Sequence, residues 1–536
     1  MPRRRLLSLA LVLAVATPLC AQSVPAKYRV AGKVVNAVNG HALAGVEVWL
    51  GKAEDFEATQ QKLLTGDDGA FTFRVADPGK YLLGGQANGF RRQGFEQHGV
   101  YVSAIVVGPG LNTGNVVFRL RPDARVLGVI EDEEHEPVAG ATIYLFRTDA
   151  SFGLRQTSLS EQTVSDDRGH YRFAHLEPGF YYLVVSAAVW FSGIIQSGDA
   201  VGNSANSQRP EFDVAFPTTF YPGVTDPASA SQIALNEGED FTADFILSPV
   251  PALHVRVNHV NDDPEKPKSA TLQQRVFGTT INQMWLRQIP VDDSVEIRGV
   301  PPAKYLLEID SYGASRVKRS TVVNLTADTE LDPETTSAVM PIHGMVRMDG
   351  GLNLKQQAYV KLWNFRTDEV VDSQVGEKGQ INFDSDFLTP GTYSVYAMNG
   401  ENSILSSLKA TGARVVGQTV QITGAKPVEL EISLSNTLAK INGTARRDGK
   451  PVAGAMILLV PEDAEMNLPK FRRDESDSDG TYTLRDVLPG RYRMLAIDDG
   501  WEFEWGNPSL LKNRLEHAQK IEVQPNKTYQ TVLIVE

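Results

Sequence analysis

One pattern of residues recurs along this chain and limits its architecture more than any other feature. The first copy runs Gly32-Lys33-Val34-Val35, then Ala42-Leu43-Ala44-Gly45-Val46-Glu47-Val48-Trp49-Leu50. The second runs Gly128-Val129-Ile130, then Pro137-Val138-Ala139-Gly140-Ala141-Thr142-Ile143-Tyr144-Leu145. A third clear copy runs Gly443-Thr444-Ala445, then Pro451-Val452-Ala453-Gly454-Ala455-Met456-Ile457-Leu458-Leu459. Each continues into a second signature. Asp67-Asp68-Gly69-Ala70-Phe71-Thr72-Phe73 leads to Asp77-Pro78-Gly79-Lys80-Tyr81, and Asp166-Asp167-Arg168-Gly169-His170-Tyr171-Arg172-Phe173 leads to Pro178-Gly179-Phe180-Tyr181. Asp477-Ser478-Asp479-Gly480-Thr481-Tyr482-Thr483-Leu484 leads to Pro489-Gly490-Arg491-Tyr492. A looser copy holds Gly379, Ile381, Phe383 and Pro390-Gly391-Thr392-Tyr393, and another keeps only its latter half, Gly299-Val300-Pro301-Pro302-Ala303-Lys304-Tyr305.

The physical content of the pattern is a pair of strands and two turns. Phe71 and Phe73, or Tyr171 and Phe173, lie two apart and so point to one face of a strand. The Asp and Gly before them supply a tight turn, because Gly tolerates positive φ and Asp bonds its own backbone. Pro-Gly makes a second turn, and the run from each tyrosine is the next strand. Short strands joined by turns, with almost no helical period, predict an all-β chain of two-sheet sandwiches.

The order Gly, Pro-Val-Ala-Gly-Ala, Asp-x-x-Gly-x-Tyr-x-Phe, Pro-Gly-x-Tyr resembles the carboxypeptidase regulatory-like domain, a transthyretin-like sandwich related to carbohydrate-binding-like folds. The resemblance implies about five tandem Ig-like or transthyretin-like β-sandwiches: 27–122, 123–250, a divergent module at 251–340, 341–437 and 438–536. Residues 192–232, rich in Gly, Ser, Asn and Pro, read as a mobile insertion in the second module. Asn507-Pro508 before Leu510, Leu511, Leu515 and Ala518 predicts one short C-terminal helix over 508–519, with Asn as cap and Pro at the first helical position.

A chain of 536 residues exceeds what one hydrophobic core organises. Arg3, Arg4 and Arg5 followed by the apolar run Leu6–Ala16 read as an export signal over 1–21, with the mature chain starting at Gln22. The run is about half of the ~20 residues a membrane span needs, so no transmembrane segment is expected after cleavage. With cleavage after Ala21, Cys20, the only cysteine, leaves with the signal, and the mature chain has neither disulfides nor a thiol nucleophile; a lipoprotein signal, with Cys20 as the lipidated residue, is the alternative, against which Leu19 and Thr17 stand. The net charge of −13 argues against a nucleic-acid partner, which needs clustered Lys and Arg.

A search for chemistry returns little. None of the nine histidines has Glu three residues later, so the zinc carboxypeptidase that such modules accompany is not encoded here. No Gly-x-Ser-x-Gly, Walker loop or dinucleotide fingerprint occurs, and no cofactor is expected. His170 and His175 flank one strand and read as surface residues. Glu475, Asp477, Asp479, Gly480 and Asp486 have the spacing of a calcium loop, but with Glu first and Asp last they depart from it. The sibling turns carry Gly66 and Arg168 at ligand positions, so a plain turn accounts for the pattern. Calcium at Asp477, Asp479 and Asp486 stays as the alternative. Trp501-Glu502-Phe503-Glu504-Trp505, taken as a strand, puts three rings on one face and two carboxylates on the other. Rings stack on sugars and carboxylates accept from hydroxyls, so Trp501, Phe503 and Trp505 are candidate ligand-binding residues. Packing beneath the 508–519 helix is the commoner fate of such a row.

The reading at this level is an elongated, exported, non-catalytic protein, periplasmic, cell-surface or extracellular. Its partner is a polysaccharide or cell-envelope component, and no residue names a protein partner. The rival readings are a spacer or envelope scaffold, and an accessory protein that docks an exported peptidase. The assignment of carbohydrate rests on resemblance.

Overall fold

A computed structural model of the protein describes residues 27–189, 213–258, 268–311, 317–332, 337–338, 342–349, 358–364, 369–383, 388–399, 404–423 and 426–536, apart from 282, 284, 285, 292, 389 and 502. The export signal expected over 1–21, with Cys20, lies outside these residues, as do 192–212 of the expected insertion.

Five hydrophobic cores follow one another along the chain, each drawn from one continuous stretch. They run from Val30 to Leu120, Ala124 to Leu247, Leu253 to Leu325, Ile342 to Leu434 and Ala439 to Val535. The chain is thus an array of β-sandwiches, built as the alternation of side chains demands. In Ala70–Val75 the core takes Phe71, Phe73 and Val75, while Thr72 and Arg74 face water. In the fourth module a single pair, Met398 with Ile404, joins the layers into one nine-stranded sheet.

One topological rule holds in all five modules: the opening strand pairs in parallel with the closing strand. Tyr28–Asn36 lies beside Val116–Leu120, Ala124–Asp132 beside Asp240–Thr242 and Phe245–Leu247, and Leu253–Val257 beside Thr329–Leu331. Ile342–Met348 lies beside Val428–Ser435, and Ala439–Arg447 beside Thr528–Ile534. The pairing explains the glycine that opens each clear copy. A Cβ on Gly128 would stand 2.0 Å from the Ala243 carbonyl oxygen, and one on Gly32 would stand 1.9 Å from that of Val116. Gly344 fills the same place in the fourth module, against Leu430.

The Pro-Gly-x-Tyr signature also has a common structural use. Tyr81, Tyr181, Tyr305 and Tyr492 each donate a hydroxyl hydrogen bond of 2.8–2.9 Å to the carbonyl four residues earlier, at Asp77, Glu177, Pro301 and Leu488. Each ring is buried, and the bond satisfies the hydroxyl inside the core. The divergent third module therefore keeps this device. In the fourth, Tyr393 donates to Glu369 at 2.8 Å.

Two expectations are corrected. The first is mobility across 192–232. Of the described part, Phe216 and Phe220 are fully buried, and Thr219–Phe220 pairs with Val184 and Val185. Apolar residues too few to be noticed in a polar stretch anchor it in the core. The second is elongation. The fifth module returns to the first and the second, so the array closes on itself. Met456–Pro461 is buried throughout, with Ile457 and Leu459 in its own core and Met456, Leu458 and Val460 in a second cluster under the C-terminal helix. Tyr144 and Phe146 likewise leave the second core to pack with Val276 and Ile281 of the third module. Such outer faces must be covered: the fifth module covers its own with the helix and the aromatic segment, and the third module covers that of the second.

The helix occupies Pro508–His517, with the Asn507 side chain accepting from the Ser509 N–H at 3.1 Å and Leu511 buried. No helix among the described residues is long and apolar enough to cross a membrane.

Candidate functional site

Strand Arg472–Glu475 lies at the edge of its sheet and would present unpaired backbone. Residues 98–106 of the first module cover its end and the turn that follows. The Ser103 hydroxyl and the Glu475 carboxylate are 3.0 Å apart, the Ala104 N–H donates to Asp477 at 2.8 Å, and the Ser478 N–H donates to the Ala104 carbonyl at 3.0 Å. Lys80 forms an ion pair with Asp477. Burial pushes the carboxyls of Glu475, Asp477 and Asp474 above the ordinary range. His98 and Ser103 pull against this at Glu475, Lys80 at Asp477, and the Thr483 N–H at Asp474.

Two of the three carboxylates proposed for calcium, those of Asp477 and Asp479, are thus taken up separately by protein groups. Asp479 accepts from the Thr481 N–H and hydroxyl at 3.0 and 2.6 Å, and the Asp486 carbonyl accepts from Arg472 at 2.9 Å. Among the described residues, no group of three or more His, Cys, Asp or Glu is arranged to hold a metal ion. His170 and His175 are exposed, paired with Asp166 and Asp123.

Trp501, Phe503 and Trp505 are half-buried against the cluster that holds Met456, Leu458, Phe471 and Leu511. The strand assumed for this segment does not form: 501 and 503–505 are turns. Gly500 and Gly506 flank the aromatic segment, and the Gly506 N–H bonds Gly153 of the second module at 2.7 Å. The rings therefore do not form one flat face with carboxylates behind. Trp501 stacks on His98 of the first module, with centroids 3.8 Å apart and planes 5° from parallel, so one of its faces is covered.

Arg473 sits among these rings, 4.4 Å from the centroid of Tyr101, 5.1 Å from Trp501 and 5.9 Å from Trp505. Burial pushes its pKa down, yet an arginine that starts above 12 stays charged. It forms no ion pair among the described residues, and its Nε is buried without an acceptor. Arg473 and Trp501 line a cavity of about 350 Å³ where the first, second and fifth modules meet. Arg91, Arg121, Arg147 and Arg155 also line it, and each of these has a carboxylate partner: Glu177 for Arg91 and Arg147, Glu237 for Arg121, Glu504 for Arg155. Val100, Phe152 and Phe180 line it too and are exposed. Two larger grooves, of about 740 and 770 Å³, lie at the junctions of the fourth with the fifth module and of the second with the third.

None of these arginines stands out in the sequence, since none belongs to the repeated pattern and the site takes them from three modules. The usable signal is Arg472-Arg473 amid the acidic run that follows, a cationic pair on an edge strand in an anionic chain.

Residues 125–190 match the family model of the carboxypeptidase regulatory-like domain, which makes this stretch of the second module such a domain. Compared with curated proteins, the sequence finds no match. Among solved structures, the chain is similar to the Bacillus anthracis TIE protein at 10% identity, over 96% of this chain and 75% of that one, with a TM-score of 0.18. It is similar to GBS52, the minor pilin of Streptococcus agalactiae, at 12% identity over 42% of this chain and 97% of that one, TM-score 0.21. The shaft pilin SpaA of Lactobacillus rhamnosus GG follows at 10% identity over 42% and 98%, TM-score 0.20. None of these likenesses extends to what this chain does.

Proposed function

We propose that this chain is an exported, non-catalytic binding protein for a carbohydrate or cell-surface polymer, held where the first, second and fifth modules meet. The observation that carries the reading is the cavity itself. It is concave, lies between domains, and sets aromatic and apolar side chains beside five arginines and two carboxylates, a more charged lining than most ligand sites have. Its volume is at the lower end of the ~300–1,000 Å³ range of small-molecule sites, which suits one or two units of a longer chain. Export rests on the basic and apolar leader at Arg3–Ala16.

Catalysis is disfavoured by the same geometry. Ser103, His98 and Glu475 are neighbours, but Ser103 is fully buried and its hydroxyl faces Glu475 and the Ser476 carbonyl. His98 reaches Glu475 through Nδ1 at 3.1 Å. A nucleophile needs access to a substrate, and this buried serine has none. The closed array supports a second reading, an envelope scaffold in which the junctions only fix shape.

A screen of glycans and cell-wall polymers against the exported protein separates the two. Retention of a polymer, lost in Val100→Ala with Phe180→Ala at unchanged melting temperature, is the expected result. These exposed side chains test the site without touching a core, whereas Phe152 also packs edge-on against Trp363 of the fourth module. A folded protein that retains no polymer in the screen leaves the scaffold.

A further inference from the structure

We infer that the three-module cavity recognises a carboxylate-bearing sugar unit, with Arg473 as the group that binds its charge. The inference rests on the polymer-binding reading above and names the class of polymer. Four of the five arginines on the cavity wall already face carboxylates of the protein, so their charge is spent internally. Arg473 is different: its neighbours are the rings of Tyr101, Trp501 and Trp505, and it makes no ion pair among the described residues. A guanidinium held against aromatic faces keeps its plane fixed, and although Glu475 lies near enough to act on the Arg473 charge, no carboxylate occupies its fork among the described residues. Such a group is organised in advance for a planar anion, and a carboxylate matches its fork with two parallel hydrogen bonds.

Two further features choose among anions. Asp149 and Glu177 line the same cavity. They oppose a multiply charged phosphate, whereas a singly charged ligand with hydroxyls gives them donors to accept from. The exposed Val100, Phe152 and Phe180 offer apolar contact to the C–H faces of sugar rings. A uronic acid chain has all three elements: carboxylate, hydroxyls and apolar ring faces. The chain carries a net charge of −13, so attraction of an acidic polymer requires a local reversal of sign, and this cavity supplies it.

Calorimetric titration of the exported protein with oligogalacturonate, its neutral methyl ester, inorganic phosphate and oligoglutamate tests the assignment. Oligogalacturonate is expected to bind, more weakly as salt rises, and to lose at least about tenfold in affinity on methyl esterification or in Arg473→Gln, because hydrogen bonds to charged groups are the strong ones. Should Arg473→Gln fail to fold, the comparison of acid with ester on the unaltered protein decides the matter. Equal binding of acid and ester overturns the inference and leaves polymer binding intact. Phosphate that displaces the sugar at matching concentration reduces the site to a general anion site and overturns it too. Binding of oligoglutamate with no saccharide bound overturns both this inference and the polymer reading.

Discussion

Ser103 and Glu475 are 372 positions apart in the chain and 3.0 Å apart in the fold, hydroxyl to carboxylate. The contact joins the first module to the last. With the Ala104 and Ser478 backbone bonds and the stack of His98 on Trp501, it makes the array a closed body. The second module touches the fifth as well, through Gly153 with Gly506 and Arg155 with Glu504.

Closure has a direct readout in solution scattering. The maximum dimension is expected to fall well short of five sandwiches laid end to end. Lys80→Glu sets like charges opposite each other at Asp477 and is expected to lengthen the particle, most at low salt. An end-to-end dimension in the unaltered protein would refute closure.

The buried carboxylates of this junction give it a pH dependence of known sign. Glu475 and Asp477 hold their protons more readily when folded, since burial raises their pKa values. Folding is thus favoured as the pH falls through the raised values, and the gain is complete below about 4, where the unfolded groups also protonate. Relative to Glu475→Gln with Asp477→Asn, the unaltered protein is expected to gain stability when urea midpoints are compared at pH 7 and pH 5. Other groups run the opposite way and must be cancelled by that comparison. Glu177, where burial is outweighed by Arg147 and Arg91, and Glu296, held down by Arg298, lose stabilisation as the pH falls.

The shared tyrosine bond can be tested module by module. Burial pushes the Tyr181 and Tyr492 hydroxyls up to about 12. Neither is expected to ionise at pH 11 in an absorbance titration of the folded protein. Tyr492→Phe removes one hydrogen bond and strands the Leu488 carbonyl, a cost of about 1–2 kcal/mol in urea unfolding. Tyr393→Phe is expected to cost more, because it takes a donor from the buried Glu369 carboxylate.

Two glycines of the second and first modules should behave differently under the same change. Gly128→Ala drives a methyl into the Ala243 carbonyl of the closing strand and is expected to cost about 3 kcal/mol or more. Gly45→Ala meets nothing within 4 Å, and its cost is that of a positive φ, about 1–2 kcal/mol. Equal losses by calorimetry would mean that the parallel pairing does not set the need for glycine.

The strands and turns were legible because the repeat writes them in residue types with local consequences. Gly69, Gly169, Gly379 and Gly480 all take positive φ in one turn, and the tyrosines two turns later all turn inward. Gly344 went unnoticed because no Pro-Val-Ala-Gly follows it to mark the place. The opening strand of the third module, Leu253–Val257, carries no glycine and no signature, only alternation. The aromatic segment alternates as a strand does over five residues, but Gly500 and Gly506 bound it and it forms none among its described residues. Burial of a second strand face had a sequence trace: Ile143–Phe146 and Ala455–Val460 are unbroken apolar runs, too apolar for strands with one wet face, but closure itself had none. The cavity had none, since it exists only after three separate cores are brought together.

The parallel pairing of opening and closing strands gives each module a mechanical character. Its two ends leave in opposite directions along one shared line of hydrogen bonds, so tension on the chain pulls the pair past each other. In the fourth and fifth modules the pairing runs from Ile342 beside Val428 to Met348 beside Leu434, and from Lys440 beside Thr528 to Arg446 beside Ile534. Bonds set across the direction of pull are strained together and not one after another. A protein exposed to flow or to a moving surface would transmit force through such modules without opening them.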